Sequence, residues 1–447
     1  MDDAELIIDL TLLIDRQKIG PFHIRLLLLC GLCCFAAGFY TVALGLIAPV
    51  AATAMGLGAG GLGPAFAAMG LGSVCGSLIC APLADRFGRR RVIVGGLLLA
   101  APLLTLTAAV NALPSLMACL FSDGFALMGA VPIVLALAGE FMPRRARVTL
   151  TMLVWSGFNF GSIATGVIAA ALAANGDWHR LFFINGALAL AVALIAVCLL
   201  PESLDFLVAH HERTPRIAAI LHRLVPQLTI PANARFLLDE KEEAGFPVSL
   251  LFRDGRAPLT LYLWVMLFCN IAVLVFLNSW LATLLVDMGI GKSLAIIAAA
   301  STNAGGVVGG IAISELCDRA ENSRFHILAA GFLLGGLLIA GIGLTAHWPA
   351  AAFVAALAVG FFTYGAQNTA NAVAATIYPT TMRSTGAGWA IGIGNSSQIY
   401  SPLLGGFLLS LRWPAAAIIG IAALPTLCAA LAALCIARQL PHRPIAH

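Results

Sequence analysis

The sequence predicts an all-α polytopic membrane protein, with twelve transmembrane helices in two six-helix, pseudo-symmetric bundles. Composition, the length of the apolar runs and a repeated pair of basic motifs point to it. Of 447 residues, 60% are hydrophobic and 10% are charged. A soluble domain is nearer about 25% charged. So apolar a chain cannot cover a water-facing surface, and lipid must be its main solvent. The 45 glycines and 21 prolines fit as well, since membrane helices use glycine for close approach and tolerate proline.

A spanning helix needs about 20 apolar residues. That length, read along the chain, gives spans near 24–50, 61–83, 92–111, 114–141, 149–172 and 180–200, then 257–286, 293–316, 325–345, 348–376, 384–411 and 415–437. The expected divisions are a segment 1–23, a bundle 24–200, a central loop 201–256, a second bundle 257–437 and a tail 438–447. Residues 1–23 carry acids and Pro21 but no short apolar core with a cleavage site, so the first span is expected to be retained. With both termini inside, 22 of the 25 Lys and Arg residues fall on the cytoplasmic side, and only Arg180, Lys292 and Arg412 fall opposite. An even span count and this bias agree independently.

The halves echo each other. "LADRFGRRR" with Asp85 and Arg86 follows span two, and "ELCDRAENSR" with Asp318 and Arg319 follows span eight, 318 − 85 = 233 residues later. Pro143 precedes Arg147 by four after span four, as Pro379 precedes Arg383 by four after span ten, at 379 − 143 = 236. Two motif pairs at nearly one offset imply parallel duplicated halves. Such repeats place a solute site at their interface near mid-membrane. The connector holds "HHERTPRIAAILHRL", expected to be a solvated connector, with a surface amphipathic helix as the alternative.

In "GSLICAPLADRFGRRRV" an acid and several arginines share a short loop. Asp85 can face a helix N-terminus or a neighbouring arginine, and releasing that contact would accompany opening of the cytoplasmic side. Plain positive-inside anchoring by Arg86, Arg89, Arg90 and Arg91 is the other reading. Glu140 and Glu315 are expected in loop-locking networks with Arg147 and Arg319, and Arg383 occupies the corresponding place in the second half.

This loop resembles the signature of the major facilitator superfamily, and the resemblance covers nearly the whole chain. It is similar to the aromatic acid:proton symporter branch through "LLIDRQKIGPFHIRLLLLCGLCCFAAGFYTVALGLIAPVAA", "LAGEFMPRRAR", "LPESLDFLV", "LNSWLATLL" and "GAQNTANAVAATIYPTTMRSTGAGWAIGIGN". The resemblance implies proton-coupled uptake of a benzoate, hydroxybenzoate or phenylpropionate by alternating access, in a bacterial inner membrane. The chain departs from the branch inside the membrane. The Asp-Gly-Phe/Tyr-Asp of span one reads Ala37-Gly38-Phe39-Tyr40, and the arginines of spans four and eleven fall at Leu120 and Asn395. An uncoupled facilitator, an exporter of another molecule and a non-transporting sensor are the alternatives.

One acid remains at depth. Asp123 lies nine residues into span four, roughly 13 Å along a helix, with no Arg or Lys within a turn. A carboxyl group there suits loading and unloading of a proton. Hydrogen bonding to a neighbouring helix, or a place nearer the outer mouth, are the other readings. Neutral groups that can line a cavity are Tyr40, Asn159, Asn278, Trp280, Asn303, Tyr364, Gln367, Asn371, Asn395 and Gln398. Each alone more often ties helix to helix than contacts a ligand. Together they suggest a hydrogen-bonding cargo whose ring can stack on tyrosine.

The Gly-rich runs 56–63 and 303–310 lack the Lys-Ser/Thr of a phosphate loop, so the energy source is expected to be a gradient. The histidines are scattered without metal-ligand spacing, and the 11 cysteines lie mostly in apolar runs. No cofactor, metal, catalytic group or nucleic-acid partner is expected. The expected partners are a small-molecule substrate, protons and the lipid bilayer, with the chain a monomer.

Overall fold

The computed structural model describes residues 7–439 except 59, 144, 174–176, 211–213, 226–234, 238–250, 254, 321–322, 344–347, 375–376 and 379–382. A strand β1 (Ile7–Asp9) and a short helix α1 (Leu10–Arg16) lead into six long helices. These are α2 (Pro21–Ala54), α3 (Gly63–Phe87), α4 (Arg89–Thr107), α5 (Leu113–Glu140), α6 (Arg147–Ala173) and α7 (His179–Leu199). The connector contains α8 (Leu204–Ala209), α9 (Thr214–Leu224) and β2 (Arg235–Leu237). The second set is α10 (Ala257–Asp287), α11 (Lys292–Arg319), α12 (Arg324–Ile342), α13 (Pro349–Ala374), α14 (Arg383–Ser410), α15 (Ala415–Ala422) and α16 (Leu424–Gln439).

Among the described residues, eleven helices are long and apolar enough to cross a membrane, with α15 and α16 counted together. The twelfth, α14, has the length at 28 residues, but Asn395, Ser396, Ser397, Gln398 and Ser401 dilute its apolar character. The last expected span is broken at Ala423, because Pro425 has no N–H to continue the helical ladder. Prolines in the first turns of α2, α3, α5 and α10 lack only an N–H that would have no helical partner there.

The duplicated halves reappear as duplicated packing. In the first bundle α3 lies on α5, with Gly72 and Gly76 against the backbone of Phe121 and Phe125. In the second α11 lies on α13, with Gly305 and Gly309 against the backbone of Leu357 and Phe361. The glycines are 305 − 72 = 233 and 309 − 76 = 233 apart, and their partners 357 − 121 = 236 and 361 − 125 = 236 apart. These are the offsets of the loop motifs. A Cβ at any of the four glycines would run into a main-chain carbonyl.

The bundles meet along α2–α10, α6–α11 and α3–α14. Arg86, Arg89, Arg90, Arg319 and Arg324 mark one end of the bundle, called here the basic end. Every close approach that glycine makes across the seam lies in the opposite, far half. Gly45 packs on Asn278, Gly166 on Ala300, Gly63 on Gly406 and Gly70 on Gln398.

The connector differs from expectation. Residues 214–224 form α9, whose Ile217, Leu221 and Leu224 are buried in the apolar core of the first bundle. These three recur at helical spacing, so water would leave a whole apolar stripe uncovered. A three-residue parallel pairing joins β1 to β2.

Candidate transport pathway and gate

At the far end Trp280 plugs the seam. It is 1% exposed, its indole N–H donates to the Pro402 carbonyl at 3.1 Å, and its ring meets Phe66 edge-on at 5.2 Å. Trp280 thus packs across the seam at the far end, and it also lines the small cavity there. A cavity of about 190 Å³ lies beside it, with Thr53, Thr283, Asp287 and Lys292 in its lining.

Deeper along the seam the polar residues sort into two groups. On α10 and α13, Asn270 donates to Gln367 Oε1 at 2.7 Å, and Gln367 donates to Asn371 Oδ1 at 2.9 Å. The Tyr364 hydroxyl donates to the Leu274 carbonyl at 3.3 Å. On α14, Gln398 donates to Asn395 Oδ1 at 3.4 Å. Asn159 and Asn278 are half-buried on α6 and α10, and Asn303 is buried on α11. Tyr40 is fully buried, and its hydroxyl donates to the Leu120 carbonyl at 2.9 Å. It ties α2 to α5 inside the first bundle rather than lining an open cavity.

Asp123 sits about 15 Å along α5 from Leu113 at the usual helical rise. It is fully buried, the one acid so placed among the described residues. The Thr107 hydroxyl, on α4, lies 2.8 Å from Oδ2, and Oδ1 has no hydrogen-bond partner. Bonding to a neighbouring helix, one of the readings from sequence, is thus present. Tyr40 and Cys119 are the titratable side chains that face it, and among the described residues no basic group does.

At the basic end Gly88 turns the chain between α3 and α4 with φ +101°. That conformation suits glycine, and a Cβ there would also approach Glu202 Oε2 to 2.6 Å. Glu202 Oε1 accepts from the backbone N–H groups of Arg90 at 2.9 Å and Ser203 at 3.0 Å. It places a negative charge on the N-terminus of α4. Arg89 pairs with Glu140, whose side chain is 6% exposed. This pair borders a cavity of about 340 Å³, lined also by Arg147, Thr151, Asp205, Thr11 and Ile14.

Several gate residues stand elsewhere than expected. Asp85 is exposed and has no partner among the described residues. Glu202 fills the helix-terminus role foreseen for it, since Asp85 is still on α3 and precedes the turn at Gly88. Arg86 is exposed over the Phe87 ring. In the second half Asp318 is exposed, and Glu315 with Arg319 forms a surface pair one helical turn apart. Solvent screens such a pair, so it is a weak lock. Glu140 takes Arg89 as its ion-pair partner, with Arg147 across the shared cavity. The Arg383 side chain lies outside the described residues.

Glu202 at the α4 terminus, Thr107 and Thr363 are not among the residues expected from sequence. Asn270 is absent from the polar residues expected in a cavity. The acid of "LPES" falling just after a span was the available sign for Glu202. Nothing in spacing marks Thr107, because its partner is on another helix.

Two duplicated helical bundles joined along a seam are the architecture of a membrane transport protein. The profile of the Major Facilitator Superfamily matches residues 28–402, and the chain belongs to that family. The family and the relatives are transporters, not enzymes. The relatives place the chain in the aromatic acid branch. The 4-hydroxybenzoate transporter PcaK of Pseudomonas putida is 31% identical over 407 residues, covering 91% of this chain and 90% of the relative. A gallate transporter of the same species is 34% identical, covering 96% and 94%. The fold matches a bacterial homologue of the lysosomal transporter Spinster, solved in an inward-facing, unoccupied conformation. There the TM-score is 0.66 at 15% identity, with 94% of this chain and 96% of the other covered.

Proposed function

We propose that the protein imports a small aromatic acid across a bacterial cytoplasmic membrane by alternating access, coupled to protons and acting as a monomer. In this reading both termini and the basic end are cytoplasmic, and the divisions are 1–23, 24–200, 201–256, 257–437 and 438–447. Likeness to hydroxybenzoate and gallate transporters over nine-tenths of the chain carries the cargo class. The far-end seal at Trp280 then belongs to a state open toward the cytoplasm. Cargo would sit between the bundles, against the amides of α10, α13 and α14.

Asp123 is the coupling site in this reading, because it is the one fully buried acid among the described residues and no cation neutralises it. The test is substrate-driven proton flux in liposomes. Asp123→Asn should abolish flux while leaving exchange of cargo across the membrane. Undiminished flux in the variant removes Asp123 from coupling.

A second reading, an uncoupled facilitator, draws on Ala37, Tyr40, Leu120 and Asn395 standing where the branch carries charged groups. A facilitator brings cargo only to equal concentrations on both sides, and a symporter exceeds them.

A further inference from the structure

Three side-chain amides of the second bundle form one directed chain. The Asn270 amide nitrogen donates to the Thr363 carbonyl at 3.2 Å and to Gln367 Oε1 at 2.7 Å, and Gln367 Nε2 donates to Asn371 Oδ1 at 2.9 Å. An amide offers one face that only donates and one that only accepts. Taken alone, such a chain runs equally well in either direction. Here a main-chain carbonyl removes the choice. Thr363 O can only accept, so Asn270 must turn its nitrogen toward it. The same nitrogen meets Gln367, which must present its oxygen. Gln367 then has only nitrogen left for Asn371, which must present its oxygen in turn. The polarity of all three amides follows from one backbone atom, and the chain ends on Asn371 Nδ2.

Two further observations support this direction. Asn270 is fully buried, and its Oδ1 has no partner. An orphaned buried acceptor is costly, and it is what holding the nitrogen on Thr363 leaves behind. Asn371 is half-buried, and among the described residues its nitrogen has no hydrogen-bond partner. It continues the stripe Tyr364, Gln367, Asn371, which returns to one face of α13 every three to four residues, the face whose first two members bond to α10.

We propose that Asn371 Nδ2 is the donor that receives the carboxylate of the cargo, with Asn270 as the positioning residue that keeps that end a donor. The inference rests on the aromatic acid reading above. A carboxylate only accepts hydrogen bonds, so an amide free to flip would offer it an oxygen in one of its two orientations. With Leu120 and Asn395 in place of arginines, a fixed neutral N–H group is one way to meet a carboxylate at this depth.

The test is equilibrium binding of 4-hydroxybenzoate and of phenol to the purified full-length protein in lipid nanodiscs, with thermal melting alongside. Asn371→Asp keeps an acceptor for Gln367 but presents a carboxylate oxygen where the N–H₂ stood. It should weaken 4-hydroxybenzoate at least about tenfold, equivalent to about 1.4 kcal/mol, leave phenol within a factor of about three, and melt like wild type. Asn270→Leu, which touches no cargo, should also lower the ratio of 4-hydroxybenzoate to phenol affinity. Wild-type binding of 4-hydroxybenzoate by Asn371→Asp overturns the proposal. Equal weakening of both ligands with a lower melting point also overturns it, since that is the mark of packing alone. A wild-type protein that binds neither ligand fails at the aromatic acid reading instead, and that outcome is distinct.

Discussion

Asp123 meets Thr107 inside the first bundle, and Trp280 meets Phe66 across the seam. A lone acid in an apolar span draws attention because charge is expensive there. Its partner Thr107 is silent in the sequence, since a threonine inside a span is ordinary and the contact joins two helices. Trp280 reads from sequence as a cavity residue or a tie between helices, and the structure shows it tied to Pro402 and packed on Phe66. Asn in place of Asp123 keeps the size and can donate its N–H to Thr107. Asp123→Asn should therefore melt within a degree or two of wild type, whereas Asp123→Leu should lose about 1–3 kcal/mol through overpacking. Detergent melting curves of the two variants check this, and equal loss in both would show that the site is not shaped as described.

At the scale of elements, apolar run lengths placed the long helices well, because about twenty residues of lipid thickness leave little freedom. The amphipathic connector was harder. A helical stripe reads the same whether lipid, water or protein faces it, so the burial of α9 was open until the first bundle was in place. The turn at Gly88 makes a sharper prediction. Gly88→Ala must strain the positive φ and crowd Glu202, at a cost of about 1–2 kcal/mol seen as a lower melting temperature. The pair Arg89–Glu140 is largely enclosed, so Glu140→Gln strands a cation. Fully buried pairs lose about 3–5 kcal/mol when one partner goes, and the partial exposure of Arg89 should bring this to about 2 kcal/mol. Arg89→Gln together with Glu140→Gln should recover part of that loss. Simple addition of the two single losses in a double-mutant cycle would mean the pair carries no coupling.

Across the whole molecule, one duplication explains both what was readable and what was not. The offsets of 233 and 236 residues appear in the loop motifs and again in the glycine contacts of α3 with α5 and α11 with α13. Small residues at such contacts are chosen for backbone approach. Gly76→Val in the first bundle and Gly309→Val in the second should each lower folded yield, and equal tolerance of valine and glycine at both would contradict the packing. The halves share their scaffold but not their charges. The first keeps a loop capped by Glu202 and an enclosed ion pair, while among the described residues the second shows the surface pair Glu315–Arg319. A motif search sees the common pattern and misses this divergence, since burial is not written in the motif.

The most direct measurement is accumulation of labelled 4-hydroxybenzoate in proteoliposomes, with and without an imposed inward proton gradient. With coupled uptake the internal concentration rises above the external one only with the gradient, and Asp123→Asn reaches equality and no further. Equal internal and external concentrations in the wild type under both conditions would contradict coupled uptake, and no entry under either would contradict the aromatic acid reading itself.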